Sequence, residues 1–331
     1  MKERITTKKL AAICNVSLGT VDRALNNRYG ISPKTRDLIL QKAKEYEYTP
    51  NHIGRSLQSG KTSDIGVIVH DLDNRFFSQL VNSIQQAAWE RGFYIQLAVT
   101  LRDPQRERII LEHMVERNMD GILLFPAGKG SDLDDYLQSL VQPVICMGNK
   151  ISENCRSSLI GLDDRNILFS TASTLAENGY DNFLFVAPFI DESEGMNNYE
   201  TDERFKGFSE ALIEKGLPWQ YLKNWNYLQD IVRIIQGNQK TAVVCSSDIY
   251  ALEVLKHLKN KGIHIPEDVG VMGFDNLDIL TYVEPALATI HYPVKEMGMT
   301  AVELLLDRIS NPEQAVQNIF VPAEILWRES I

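Results

Sequence analysis

Long apolar runs are missing from this 331-residue chain, and no stretch approaches the roughly 18 residues that a membrane-crossing helix needs. The start, Met1-Lys2-Glu3-Arg4, is charged, and the apolar stretch that follows (Leu10 to Cys14) is too short for the core of a secretion signal. Both gaps predict a cytoplasmic protein with no membrane contact. Cysteine is scarce. Cys14, Cys146, Cys155 and Cys245 are scattered without a C-x-x-C pair, which predicts reduced thiols packed as small hydrophobes. None of the six histidines has metal-ligand spacing, so neither a metal nor a cofactor is expected. The chain also lacks H-E-x-x-H, G-x-S-x-G, a Walker loop, and G-x-G-x-x-G after its first strand-like run. Gly128-Lys129-Gly130-Ser131 resembles a phosphate loop but has no upstream glycine at the right spacing, and it reads as a surface loop. These absences argue against an enzyme.

What is present is a charge asymmetry. The formal net charge is −10, yet residues 1–60 carry a balance of +6 and the remaining 271 residues one of −16. A basic head on an acidic body is the pattern expected when one end meets phosphate. The head reads as three short helices. Thr6 or Thr7 caps the first, through Leu10, Ala11 and Ile13; Asn15 breaks it where a left-handed residue is needed. Ser17 caps a second helix reaching about Asn26, and Ser32-Pro33 opens a third with an apolar stripe of Ile39, Leu40, Ala43 and Tyr46. Ala11, Asn15 and Val21 have helix-turn-helix spacing: a small residue for close approach, a turn residue, and an inward lock. With Val21 and Leu25 inward, Leu18, Gly19, Asp22 and Arg23 lie outward, and the fork of Arg23 matches the two acceptors of a guanine. A three-helix module that contacts only protein is the alternative on these residues alone.

The run Val16-Ser17-Leu18-Gly19-Thr20-Val21-Asp22-Arg23-Ala24-Leu25-Asn26 resembles the recognition-helix signature of the lactose-repressor/purine-repressor (LacI-type) family. Ile31-Ser32-Pro33-Lys34-Thr35-Arg36, Tyr48-Thr49-Pro50-Asn51 and Arg55-Ser56-Leu57 continue the match at the right spacing. The resemblance implies that Leu18, Gly19 and Arg23 face bases, with phosphate contacts from Thr6, Ser17, Thr20, Asn26, Ser32 and Thr35. It also places Asn51 on the DNA-binding side and makes Leu57 a minor-groove wedge in a hinge helix. Two departures stand out. Asp22 replaces a serine or similar polar residue; it repels phosphate unless it pairs with Arg23 or Arg28, or accepts from a cytosine amino group. Gly54 replaces an alanine common in the hinge. Residues Pro50 to Gln58 make at most two or three turns, and so short a helix orders only when something holds it. A flexible linker, helped by Ser59-Gly60, is the other reading.

From residue 64 short apolar runs alternate with amphipathic helices: Ile65–Val69, a helix with Phe77, Leu80, Val81 and Ile84 inward, Tyr94–Val99, a helix from Pro104, Gly121–Phe125 and Pro143–Met147. The rhythm repeats at Phe183–Val186, 204–215, Ala242–Cys245, 249–261 and Val269–Phe274. Such alternation implies parallel sheets covered on both faces, with ligands outside the carboxyl ends of the strands. Phe76 and Phe77 follow the first strand, where an aromatic can stack on a ring, though they also suit a core. Asp275 ends a strand, as a hydroxyl acceptor or a helix cap. The resemblance implies crossovers near residues 161, 290 and 320, and cleft positions for Arg204, Ser247 and His291, with an inter-lobe ion pair as the alternative for Arg204. Sugar binders of this fold often have Asp-Arg where this chain has Gly148-Asn149-Lys150; Asn149 can still bond a hydroxyl.

The expectation is therefore an α/β fold: a two-lobed periplasmic-binding-protein-like effector domain of parallel sheets flanked by helices, with an all-α N-terminal helix-turn-helix domain. Its parts are a DNA-binding domain at 1–49, a hinge at 50–61, and an effector-binding and dimerisation domain at 62–331. The expected function is a sequence-specific transcription regulator, a repressor, controlled by a polar metabolite with carbohydrate or polyol favoured. Its expected partners are a pseudo-palindromic double-stranded operator, that effector, and a second copy in a homodimer or a tetramer of dimers. The rivals are a solute-binding protein without a DNA role, and an activator of the same family with a nucleoside or sugar-phosphate effector.

Overall fold

The structure is a computed structural model that describes residues 5–49, 61–188, 195–237 and 239–331. The chain divides into two compact units, Met1–Thr62 and Ser63–Ile331. The expected hinge, including Asn51 and Leu57, lies outside the described residues save for its last position.

The first unit is built from α1 (Thr7–Cys14), α2 (Leu18–Leu25) and α3 (Pro33–Glu45). Each begins on a hydroxyl that accepts from a backbone N–H of the first turn: Thr6 from Lys9 (3.2 Å), Ser17 from Thr20 (3.2 Å) and Ser32 from Thr35 (3.1 Å). The packed centre is Leu10, Ala11, Cys14, Val21, Ala24, Ile39 and Ala43. Leu40 and Tyr46, expected on the inner stripe of α3, are exposed. Tyr48, beyond the helix, packs against the centre in their place and its hydroxyl meets that of Thr7 at 2.8 Å. Asn15 ends α1 at φ 54°, ψ 47°, the left-handed region where an asparagine side chain is tolerated. Asn15→Ala should lower the stability of this unit by about 1 kcal/mol while Asn15→Gly leaves it nearly unchanged. Equal losses for both in a urea titration would remove the conformational explanation.

The second unit has two six-stranded sheets. The first takes β1 (Asp64–Val69), β2 (Tyr94–Val99), β3 (Gly121–Leu124), β4 (Val144–Met147), β5 (Ser158–Gly161) and β11 (Asn318–Phe320), in the order β11-β5-β4-β3-β1-β2, all parallel. The second takes β6 (Asn182–Val186), β7 (Trp219–Leu222), β8 (Thr241–Cys245), β9 (Val269–Asp275), β10 (Ala288–His291) and β12 (Glu324–Leu326), in the order β12-β10-β9-β8-β6-β7. Only β12 runs antiparallel to its neighbour among these strands. The chain crosses between sheets after β5, after β10 and after β11, the three places expected.

Helices cover the sheets: α4 (Arg75–Glu90), α5 (Pro104–Glu116) and α6 (Ser131–Ser139) follow strands of the first, and α7 (Asp164–Glu177), α8 (Tyr199–Glu214), α9 (Tyr227–Ile234) and α10 (Asp248–Asn260) belong to the second. A last helix, α11 (Val294–Ser310), returns against α4 and the first sheet. α4 buries Phe76, Phe77, Leu80, Val81, Ile84, Ala87 and Ala88, a continuous stripe at helical spacing. α7 and α8 approach closely at Gly207, where a Cβ would lie 1.9 Å from the carbonyl oxygen of Arg165. Any larger residue there forces the two helices apart.

Candidate functional site

In the head, the residues expected to meet phosphate stand at helix starts, except Asn26, which ends α2. Thr6, Ser17 and Ser32 are the caps; Thr20 and Thr35 sit one turn in, their hydroxyls 2.9 and 2.8 Å from those of Ser17 and Ser32. These helix N-termini present backbone N–H groups that suit an anion. On α2, Leu18, Gly19 and Arg23 are exposed on one side. The carboxylate of Asp22 is not paired with Arg23. It accepts from the side-chain amide of Asn26 (2.7 Å) and from Arg28 (3.2 Å). The side chain of Arg23 makes no hydrogen bond or ion pair among the described residues, so its fork is free.

In the second unit a cavity of about 570 Å³ lies between the two sheets. Strand ends supply much of its lining: His70 follows β1, Phe125 follows β3, Ala187 follows β6, Ser246 and Ser247 follow β8, and Asp275 ends β9. This is where an open parallel sheet leaves backbone and side chains pointing out of the ladder. Of the seven residues expected at the cleft, Phe76, Phe77, Asn149, Arg204, Ser247 and Asp275 line the cavity. His291 does not. It pairs with Asp275 in the β9–β10 ladder, and its Nδ1 lies 3.2 Å from the side-chain amide of Asn276.

Phe76 and Phe77 are both buried, in an edge-to-face cluster with Phe125, His70 and Tyr292, so they are core and cavity wall at once. Arg204 is buried as well. Its Nε donates to Asp164 at 2.7 Å, its Nη1 to the carbonyl of Ser246 at 3.0 Å, and its plane lies 3.6 Å from the ring centroid of Phe274. Its ion partner thus sits on α7 of the same lobe rather than across the cleft. Burial works against the charge, but Asp164 and Glu200 more than restore it and hold the guanidinium above its usual range. Asp275 sits at φ 114°, a strained backbone for a residue with a side chain. It accepts from the hydroxyl of Ser247 (2.8 Å), which therefore does not cap α10. Burial and the nearby Asp248 push its carboxyl well above the usual range.

Asn149 is committed differently from expectation. Its amide donates to the carbonyl of Pro126 (3.2 Å) and accepts from the backbone N–H of Glu200 (3.0 Å), tying one lobe to the other. Asn197 does the same toward Gly128 and Lys150 (3.0 and 3.1 Å). The stretch 128–131 exposes Lys129 and Ser131, as a surface loop does, but its backbone is anchored. Gly128 is buried, and the N–H groups of Gly128, Lys129 and Gly130 go to Glu107, Gly195 and Ile151.

Sequence reasoning missed His70, Glu200, Arg102 and Tyr250 in the lining. The rule that ligands meet strand ends points to His70, the residue directly after Ile65–Val69. Glu200 stands one helical turn before Arg204, a spacing that puts the two side by side. His70 is buried and stays neutral, because burial and the charge of Arg102 depress its basicity. Its Nε2 has no hydrogen-bond partner among the described residues.

Burial raises the carboxyls of Glu107, Glu200 and Asp248 to about 7 each. In the unfolded chain they titrate near 4. Between these values the folded state holds more protons, so stability declines as pH rises from about 4 to about 7. The effector unit should melt at a higher temperature at pH 6 than at pH 8. A melting temperature that climbs over that interval would contradict the burial of these groups.

Residues 6–51 match the family described as Bacterial regulatory proteins, lacI family, and residues 172–331 match the Periplasmic binding protein-like domain. The HTH-type transcriptional repressor CytR of Escherichia coli (strain K12) is 28% identical over 335 residues, 98% of this chain and 96% of that protein. A LacI family transcriptional regulator from Enterococcus faecium, solved with bound ribose, is 27% identical, with a TM-score of 0.69 over 81% of this chain and 98% of that one. The lac repressor dimer bound to operator and the anti-inducer ONPF shares the fold at a TM-score of 0.84, with 19% identity and 99% of both chains covered.

Proposed function

We propose that this chain, in which a lacI-family module is followed by a periplasmic binding protein-like domain, is a LacI-type transcription repressor switched by a small polar ligand in the inter-lobe cavity. The supporting observation is the conjunction of an exposed, unpaired Arg23 on a capped recognition helix with a polar cavity at the strand ends of a separate unit. Relatives over 98% of the chain are named as transcriptional repressors, and one similar structure holds ribose. On this reading residues 1–49 read DNA, 50–61 form the hinge, and 62–331 bind the effector and a second copy. Leu18, Gly19 and Arg23 read base edges; Thr6, Ser17, Thr20, Asn26, Ser32, Thr35 and Asn51 grip the backbone; Leu57 wedges the minor groove.

Asp275, Ser247 and Phe77 take the ligand, with Phe76 behind them. Arg204 fixes the carboxylates around it, and Asn149 holds the lobes together. Opening the cleft would require cross-lobe bonds such as Asn149 to Glu200 to break, so ligand occupancy biases lobe geometry and with it the spacing of two hinges in a homodimer. The proposed protein is cytoplasmic and performs no chemistry on its ligand. Full-length protein should select a pseudo-palindromic duplex from a random pool, and a ligand that stabilises the second unit should change that affinity by about 5- to 150-fold. Failure to retain any duplex at moderate salt, with or without a stabilising ligand, would sink the reading.

A further inference from the structure

Resting on the reading of the cavity as an effector site, we propose that it takes an amine-bearing polyol and rejects phosphate- and carboxylate-bearing ones. Five carboxyl side chains line it, Asp71, Asp73, Glu200, Glu253 and Asp275, against two guanidinium groups, Arg102 and Arg204. The charge of Arg204 is already matched by Asp164, which stands behind the lining. Its Nε and Nη1 are spent on Asp164 and Ser246, and its Nη2 faces Glu200 at 3.8 Å, so no fork remains for a phosphate. Arg102, the other cation, is exposed.

Acceptors, by contrast, are in surplus. One oxygen of Asp275 is held by Ser247, and the other makes no hydrogen bond among the described residues. Ser247 gives its proton to that bond and keeps its lone pairs. His70 is buried at the cavity wall with Nε2 unpartnered among the described residues, and its neutral ring accepts as readily as it donates. A ligand rich in hydroxyls fills such acceptors, and an ammonium adds three donors and the missing positive charge. Burial disfavours the charged form of the Glu200 and Asp275 carboxyls, so these two gain most from an arriving cation. The edge-to-face wall of Phe76, Phe77 and Phe125 provides the apolar side for the carbon skeleton.

The test is calorimetric titration of full-length protein with matched triples: sorbitol, 1-amino-1-deoxysorbitol and sorbitol 6-phosphate; glucose, glucosamine and glucose 6-phosphate; ribitol and its amino and phosphate forms. The amine member of at least one triple should bind about tenfold or more tightly than its neutral parent, with no heat from the phosphate. Asp275→Asn keeps the bond to Ser247 and suits the positive φ, and it should bring that ratio close to one while the neutral parent still binds. Binding of a phosphate member, parity of amine and parent, an unchanged preference in Asp275→Asn, or silence from every amine would each overturn the proposal. Operator affinity is read separately. An amine that binds tightly yet leaves DNA binding unchanged removes the regulator reading and leaves the ligand class standing.

Discussion

Arg204→Ala should destabilise the effector unit by about 3–5 kcal/mol, a drop in melting temperature on the order of 10 °C. The guanidinium is the shared counter-charge of a buried acidic set. Asp164 bonds it directly, Glu200 lies within ion-pair distance, and Asp275 feels its charge. Removing it leaves buried carboxyls facing one another and strands the carbonyl of Ser246 without its donor. It also removes the plane stacked on Phe274, so part of the loss is packing. Arg204→Lys should recover little, because a point charge on a flexible stem cannot reach Asp164 and Ser246 together while lying flat on a ring. The losses should shrink as the pH falls from 8 to 6, because Glu200, already raised by burial to about 7, takes up a proton in place of the missing cation. A denaturant midpoint equal to that of the parent chain, or a loss independent of pH, would show that Arg204 is not the neutralising centre of the cavity floor.

Much of this arrangement is legible in the chain, and the reasons for the failures are physical. α4 announces itself because seven buried side chains recur at helical spacing in front of a glycine stop. α7 does not: its buried face mixes Asp164 and Thr171 with Leu168, Ala172 and Leu175, so apolar periodicity is weak although the helix packs along α8. The inner stripe of α3 slips because Ile39 and Ala43 alone suffice to meet α1 and α2, and Tyr48 closes the gap from beyond the helix. Strand ends locate Phe76, Phe77 and Asp275, since that inference needs only the runs before them. Partner choice is not local. Asn149 meets the backbone of a residue 51 positions away, and His291 is turned to Asn276 by a ladder register that no spacing reveals. The anchoring of the Gly128–Ser131 stretch is not legible because its partners, Glu107 and Gly195, lie 21 and 66 positions away.

On the DNA side, Arg23→Ala should weaken operator binding by about 1–3 kcal/mol per half-site and abolish discrimination at one base pair. The argument rests on where Asp22 spends its charge. A carboxylate next to Arg23 in sequence would quench it if the two paired. Instead Asp22 is held by Asn26 and Arg28, and the Arg23 stem passes about 4.0 Å from where a side chain on Gly30 would begin. Both nitrogens of the fork are left for the two acceptors of a guanine. The measurement is a cycle: parent and variant protein, each against the selected duplex and against one in which the guanine of each half-site is replaced. Parent protein should lose affinity on the changed duplex, and the variant should not distinguish the two. Arg23→Lys should behave like alanine in discrimination but keep more overall affinity, since an ammonium still attracts phosphate without matching a base edge. If Arg23→Ala lowers affinity equally for both duplexes, Arg23 is a backbone contact and base reading lies with Leu18, Gly19 or the Asp22–Asn26 pair.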